Sequence, residues 1–552
     1  VSLVVAWFGT DLRAGQCQVI PKAEFLDRDT RPVYGVAGLF AGKDVAPALL
    51  MQEVSRDPGG RPAFGSAPAD ISVVRAIQDL KARGYRVVLY PFLMMDIRAA
   101  QGLPHPSGSG TQPDYPWRGR IEAASGESVA AEIAAFLGTA EASDFVVHPP
   151  SSWEAGTVVT APGADFRFRR FILHLAHLAH AAGGVDAFLI GSELRGLTFS
   201  TPGGGSYPFV DGLVDLAADV AGVLPSAQIS YAADWSEYHS HRPDDGSGDV
   251  YFHLDPLWAS GHVDFVAIDN YLPLSDWRDG TDHLDAAVAR SPYDLAYLKG
   301  NVEGGEYWDW FYASEADRAA QVRTPISDVV HGEPWVFRQK AIRDWWGNAH
   351  HDRPGGARSG AATAWVPGSK PVWFSELGCP AVDRGANQPN VFVSRLSSES
   401  FLPHFSTGAR DDYMQRQYLR AMVEWWAANG GAVLSPADIQ IWAWDARPYP
   451  EFPRATGTWS DGPDWTLGHW LTGRAGAAPV REMVRARLIE RHGLALADME
   501  LTHAHGQADG YPVAAPITFR QFLQPLEVGV GVLAREAGGR ISVELRDYRP
   551  IA

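Results

Sequence analysis

The chain has 552 residues, 46% of them hydrophobic, and a formal net charge of −18, from 47 Lys plus Arg against 65 Asp plus Glu. That length builds one large elaborated domain with a smaller one beside it, and that hydrophobic share makes the chain globular rather than disordered. The acidic balance argues against nucleic acid and anionic membrane as main partners, since both demand a basic footprint.

The two cysteines, Cys17 and Cys379, allow neither a disulfide scaffold nor a Cys-rich metal site. No stretch reaches transmembrane length, so membrane insertion is not expected. The apolar run at residues 1–8 lacks signal-peptide anatomy and reads as a strand, with the chain as a piece of a longer polypeptide.

In chain order, residues 2–8 read as a first strand and 33–37 as a second. Residues 73–83 have helical spacing, stop at Gly84 and lead into a strand at 86–93. A helix at 168–182 feeds the strand 187–192, and a helix at 210–224 feeds a strand at 228–233. Residues 263–269 form the next strand and 371–375 the one after. A helix at 411–429 feeds a last strand at 439–445. This cadence predicts a parallel sheet with crossover helices, read as an α/β fold of the (β/α)8 TIM-barrel type over residues 1–478.

Two long insertions, about 99–165 and about 272–370, follow strand tips and are expected above the barrel mouth. The second carries aromatic clusters around Tyr307, Trp308, Trp310 and Trp335. Residues 479–552 change character. They predict a helix at 480–492 and strands at 502–507, 517–523 and 540–545, a small β-rich segment cut short by the end of the chain.

Two carboxylates stand out. Ala187-Phe188-Leu189-Ile190-Gly191-Ser192 ends in Glu193, and Pro371-Val372-Trp373-Phe374-Ser375 ends in Glu376. In a parallel barrel all strand tips open on one face, so residues distant in sequence meet in one cleft. Two facing carboxylates are the minimum needed to break a glycosidic bond. A separation of about 5–5.5 Å serves a retaining mechanism and about 6.5–9.5 Å an inverting one. The chain also has 20 Trp, whose flat faces suit sugar rings when they stand at strand tips or in loops.

Trp444 and Trp442 alternate with Ala443 and Ile441, so a strand would point both to one side. Trp444, nearer the tip, is the expected floor for the sugar, and Trp442 lies deeper. Asn270 and Tyr271 follow the strand ending at Asp269. Asp234 and Trp235 end another strand, and Asp96 follows a third. Asp445 and Arg447 lie past the last strand, within reach of sugar hydroxyls. Trp117 and Arg118 in the first insertion are placed to close one end of the groove. No cofactor is expected and no metal site is read. His174, His177 and His180 predict a polar stripe on an outer helix, and His239, His241, His350 and His351 predict solvated loops. No His-Glu-x-x-His run or phosphate-binding loop occurs.

Gly191-Ser192-Glu193-Leu194 and Trp373-Phe374-Ser375-Glu376-Leu377-Gly378 resemble the acid/base and nucleophile motifs of the large clan of retaining glycoside hydrolases on (β/α)8 barrels. The resemblance implies Glu193 as acid/base and Glu376 as nucleophile, and a Tyr at the position of Tyr271 that hydrogen-bonds the nucleophile. Ser192 stands where the clan commonly has Asn.

A second resemblance covers nearly the whole chain. Residues 1–13 (Val1-Ser2-Leu3-Val4-Val5-Ala6-Trp7-Phe8-Gly9-Thr10-Asp11-Leu12-Arg13) resemble the opening of the barrel-like domain in the large baseplate protein of gene transfer agents. Ser72-Val73-Val74-Arg75-Ala76-Ile77, Tyr90-Pro91-Phe92-Leu93-Met94-Met95-Asp96-Ile97 and Tyr115-Pro116-Trp117-Arg118-Gly119-Arg120-Ile121 extend the match. The tail beyond residue 480 is similar to the start of the family's tail hub. This implies a phage-tail-like particle assembled in the bacterial cytoplasm, other tail and baseplate proteins as partners, and a polysaccharide of the cell envelope as ligand. Three readings stand: a retaining glycosidase, an inactive carbohydrate-binding or structural baseplate module on the same barrel, and a plain assembly scaffold that binds no sugar.

Overall fold

The computed structural model describes residues 1–124, 126, 128–280, 282–472 and 477–546. The final residues of the expected C-terminal segment, 547–552, lie outside them. At its centre is one curled eight-stranded sheet. Its strands are β1 (Ser2–Gly9), β2 (Val19–Ile20), β3 (Val88–Met95), β4 (Ala187–Ser192), β5 (Gln228–Asp234), β6 (Val266–Asn270), β7 (Val372–Leu377) and β8 (Ile439–Ile441). The sheet runs β8-β7-β6-β5-β4-β3-β1-β2, and every pairing is parallel except β1 with β2. The TIM-barrel expectation is met. The second strand is not where the sequence placed it: Gly35–Val36 pairs with Leu39–Phe40 in a small hairpin outside this sheet, and β3 pairs directly with β1 from Ser2↔Val88 to Gly9↔Met95.

Alternation sorts the side chains. Val88 and Tyr90 of β3, Ala187 and Leu189 of β4, Ala232 of β5, Ala267 of β6 and Trp373 of β7 form one buried cluster that fills the barrel. Their neighbours, such as Phe188, Ile190, Ile268 and Phe374, join the outer core with the helices. Those helices are α1 (Asp70–Ala82), α2 (Val129–Leu137), α3 (Phe168–Ala181), α4 (Pro208–Val223) and α5 (Asp412–Asn429). Pro208 opens α4 at its first position, where no amide hydrogen is missed. Just before β8, the chain is held by Arg86, which pairs with Asp438 at 2.9 Å and donates to the Ala437 carbonyl at 2.8 Å.

α1 and the insertion after β3 cover two histidines of the α3 stripe, and only His180 is exposed among the three. His174 is buried against Asp70 at 2.9 Å, and His177 donates to the Leu173 carbonyl and stacks on Phe145. His239, His241 and His350 are buried as well.

Residues 480–543 hold a separate apolar cluster. It joins α6 (Val480–His492) and α7 (Phe519–Gly529) to β9 (Met499–Glu500), β10 (Val532–Ala537) and β11 (Arg540–Leu545). The expected strand at 517–523 is instead the start of α7. Thr518 caps it, accepting from the Gln521 amide at 3.2 Å while Gln521 accepts from the Thr518 amide at 2.9 Å, a reciprocal box that fixes a helix N-terminus. Residues 502–507 are mostly loop, with only Gln507–Ala508 paired, to Ala478–Pro479. Among the described residues no helix is long and apolar enough to cross a membrane.

Candidate active site

The inward positions of β5 and β6 continue past the filled barrel layer to Asp234 and Asp269 at the mouth, Tyr90 of β3 tops that layer, and Glu193 follows the tip of β4 after a shift of register. Strict alternation would turn Glu376 outward, on the side of Phe374, which packs edge-on against Trp426 of α5. A bulge prevents this. The β6–β7 register runs Ile268↔Phe374 and then Asp269↔Glu376, so Ser375 is an extra residue. One inserted residue re-aims the side chains beyond it, and it sets Glu376 directly across from Asp269. A carboxylate oxygen from each of Glu193, Asp269 and Glu376 lies within 4.8 Å of the other two.

Glu193 leaves β4 with a φ of +49°, a left-handed conformation uncommon for a side chain of its size. Its amide donates to the Ala232 carbonyl at 2.8 Å, and the next amide, of Leu194, donates to the Tyr231 hydroxyl at 2.7 Å. One carboxylate oxygen, Oε2, accepts the Trp117 indole N–H at 2.6 Å and is ion-paired with Arg118 Nη2 at 2.9 Å. Arg118 also donates through Nε to the backbone oxygen of Ser192 at 2.9 Å and to its Oγ at 3.1 Å, and it lies 3.8 Å above the Phe92 ring. The small Ser192 makes this possible: its side chain leaves room for a guanidinium beside the strand. Gly119 does the same for the indole. A Cβ there would sit 2.3 Å from the Trp117 ring, so only glycine lets the ring fold back over the chain toward Glu193.

Glu376 is bonded by neutral donors. Tyr90 gives its hydroxyl to Oε1 at 2.9 Å, and Tyr271 donates to Oε2. Burial first, then the charge of Glu193, pushes the Glu376 carboxyl up to about 8. Asp269 is fully buried, accepts from Ser375 Oγ at 2.7 Å and meets Tyr90 Oη at 2.8 Å. Burial, followed by the charges of Glu376 and Glu193, holds its carboxyl well above the usual carboxylate range. The Arg118 guanidinium is pushed up in turn by Glu193 against the cost of its burial.

Behind Glu193 lies a further acidic pair. Asp234 is raised to about 7 by burial and then by Glu193, and its Oδ1 accepts from the Ser236 amide at 2.9 Å. Glu237 has no exposure and is raised to about 8 by burial. It accepts from Thr198 at 2.7 Å, Tyr231 at 2.9 Å and the Asp234 amide at 3.0 Å.

The remaining expected contacts divide. Asn270 is buried, and its Oδ1 accepts from the Leu272 amide at 3.2 Å. Trp235 leans on Tyr307 of the second insertion, with ring centroids 5.2 Å apart. Trp442 stacks on Phe92 at 5.4 Å and meets Tyr90 edge-on. Trp444 is 77% exposed. Trp442 thus packs on the strand aromatics while Trp444 stands out in solvent rather than as a floor, because β8 ends at Ile441 and the two-residue alternation stops there. Asp445 is bound up with Arg447, which also holds Asp461, in an ion-pair cluster of the β8 loop. Asp96 is held by Lys22 at 2.7 Å and by the Ser55 amide, a structural pairing. Tyr90, Asp269, Ser375 and Glu237 do not stand out in the sequence, although the inward alternation of β3 and β6 marks the first two.

The model of the GTA TIM-barrel-like domain matches residues 166–453, a little over half of the chain. The chain belongs to this family. Similar solved structures include a GH113 β-1,4-mannanase, 13% identical over 86% of this chain and 84% of that one with a TM-score of 0.35. Another is the GH113 β-mannanase of Alicyclobacillus acidocaldarius in complex with ManMIm, 14% identical over 85% and 81% with a TM-score of 0.32. No curated protein matches. In this GTA TIM-barrel-like chain the family match takes in β4 to β8, and with them Glu193, Asp269 and Glu376. Tyr90, Trp117 and Arg118 stand before the matched span.

The spacing of the three carboxylates would admit a cation, but their partners are a guanidinium, an indole and hydroxyls, so this site meets its negative charge with protein donors. Two carboxyl groups at this separation, one served by a cation and one by phenols, form a pair able to attack and to move a proton at one bond.

Proposed function

We propose that this chain is a retaining glycoside hydrolase module, acting on a β-linked polysaccharide of the cell envelope as part of a phage-tail-like particle. The observation that carries this reading is the short gap between Glu193 and Glu376, within 4.8 Å for one oxygen of each, which fits the retaining spacing. Glu376 would attack the anomeric carbon to form a glycosyl ester. Glu193 would protonate the departing oxygen, then take a proton from the water that cleaves the ester. Tyr271 and Tyr90 hold Glu376 in place. Arg118, paired with Glu193 at 2.9 Å, would have to shift along it to admit the departing oxygen. The particle context is supported by the family to which the barrel belongs.

A second reading, an inactive carbohydrate-binding or structural baseplate module, draws on that same Arg118. Its guanidinium and the Trp117 indole N–H both occupy Oε2 of Glu193, and Glu193 and Glu376 are only 8% and 3% exposed. Turnover of a panel of aryl β-glycosides and of purified envelope polysaccharide separates the two. Hydrolysis with retention that disappears in Glu376→Ala supports the hydrolase. Equal rates in both proteins, with sugar binding intact, support the binding module.

A further inference from the structure

Tyr90 has one hydroxyl hydrogen and two carboxyl partners, Asp269 Oδ2 at 2.8 Å and Glu376 Oε1 at 2.9 Å. A phenol serves one anionic acceptor and cannot serve two. Both contacts are satisfied only when one of the carboxyls carries a proton and donates it to the Tyr90 oxygen, while the Tyr90 hydrogen goes to the other. Two ionised carboxylates facing each other in a dry site are excluded on the same ground.

We propose that Asp269 and Glu376 share a single proton through the Tyr90 hydroxyl, with Asp269 as its resting holder, so that Asp269 is a positioning residue that keeps Glu376 an anion.

The donors favour this assignment. Glu376 accepts from two phenols, Tyr90 and Tyr271, whereas Asp269 has the weaker alcohol donor Ser375 on its other oxygen. Phenols, being more acidic, stabilise an anion better than an alcohol does. Asp269 is also the deeper of the two, and burial costs the charged form most where water is furthest. The groups facing Asp269 are Glu376 from β7, Asp234 opposite it on β5, Glu193 from the tip of β4 and Tyr90 from β3, with Arg118 the cation nearby. Three acidic neighbours against one cation leave the proton where it is. The raised range of the Asp269 carboxyl agrees. The transfer balances: the Asp269 O–H passes to the Tyr90 oxygen as the Tyr90 O–H passes to Glu376, giving an Asp269 anion and a neutral Glu376. The consequence for Glu376 as a nucleophile rests on the hydrolase reading, but the shared proton does not.

The test is infrared spectroscopy of the whole chain at neutral pH, with aspartate carboxyls labelled with carbon-13. Protonated carboxyls give a separate C=O stretch, which the label shifts to lower frequency. Asp269→Asn is expected to remove one label-shifted acid band. A lost band that the label had not shifted places the proton on a glutamate and overturns the proposal, as does no loss at all. Tyr90→Phe is a second, independent arm. It removes the acceptor of the Asp269 proton and is expected to move one label-shifted acid band to higher frequency, and no movement overturns the proposal. Neither arm needs turnover. Absence of hydrolysis in the unaltered protein would sink the hydrolase reading alone.

Discussion

Arg118 and Glu193 are joined at 2.9 Å in a buried ion pair that links the first insertion to the tip of β4. Both side chains are about nine-tenths buried or more. Breaking such a pair from one side leaves a buried charge without its counter-ion, which costs about 3–5 kcal/mol. Arg118→Met is therefore expected to lower the unfolding midpoint in urea strongly. Arg118→Lys should recover only part, because one ammonium cannot reach Glu193 and both Ser192 oxygens as the planar fork does. A Lys variant as stable as the parent would show that the fork geometry is unimportant.

Gly119→Ala tests how Trp117 reaches Glu193. The added methyl would stand 2.3 Å from the indole, closer than any real contact, so the ring or the chain must move. A cost of about 1–3 kcal/mol is expected from overpacking. Trp117→Phe keeps the backbone path and removes only the N–H to Glu193. If hydrolysis is observed, both variants should reduce kcat by about tenfold or more. An unchanged rate in both would detach Trp117 from the chemistry.

The raised carboxyl of Glu237 gives stability a pH dependence. Its ordinary value is 4.5 and its folded value about 8. Between those limits the unfolded chain has released protons that the folded chain still holds, so stability falls as pH rises through that window and levels off above it. Glu237→Gln, neutral at every pH, should flatten the slope of unfolding free energy between about pH 5 and 8 and gain stability at the alkaline end. An unaltered slope would mean that Glu237 is ionised in the folded protein.

Trp442 and Trp444 differ by exposure alone as large aromatic residues two positions apart. Trp444→Ala should change stability by no more than about 0.5 kcal/mol. Trp442→Ala, which uncovers Phe92 and Tyr90, should cost roughly 2–3 kcal/mol. Thermal unfolding of the two variants decides it, and an equal cost would contradict the stacking.

The sequence carries most of the barrel because its strands are buried on both faces and read as apolar runs. It also carries Glu193 and Glu376, because each interrupts such a run. Asp269 and Tyr90 stay hidden in strands whose other members are core, where a polar residue is visible only once the inward alternation is fixed by the partners. The bulge at Ser375 has no local signature. The exposure of Trp444 follows from a strand that ends three residues in, a boundary set by tertiary pairing. At residues 517–523 the Thr518–Gln521 capping signal is present, and the apolar content masks it.

The single surplus residue in β7 makes this barrel's chemistry hang on one local feature of the backbone. Were the bulge drawn out into a plain pleat with Ser375 kept, Ser375 would stand across from Asp269 and Glu376 would turn toward Trp426, away from Tyr90 and Tyr271. Deleting Ser375 would instead leave Glu376 next after Phe374, still facing Asp269, and would take away the Oγ from which Asp269 accepts. The aim of the centre and the filling of the sheet are thus set by separate residues.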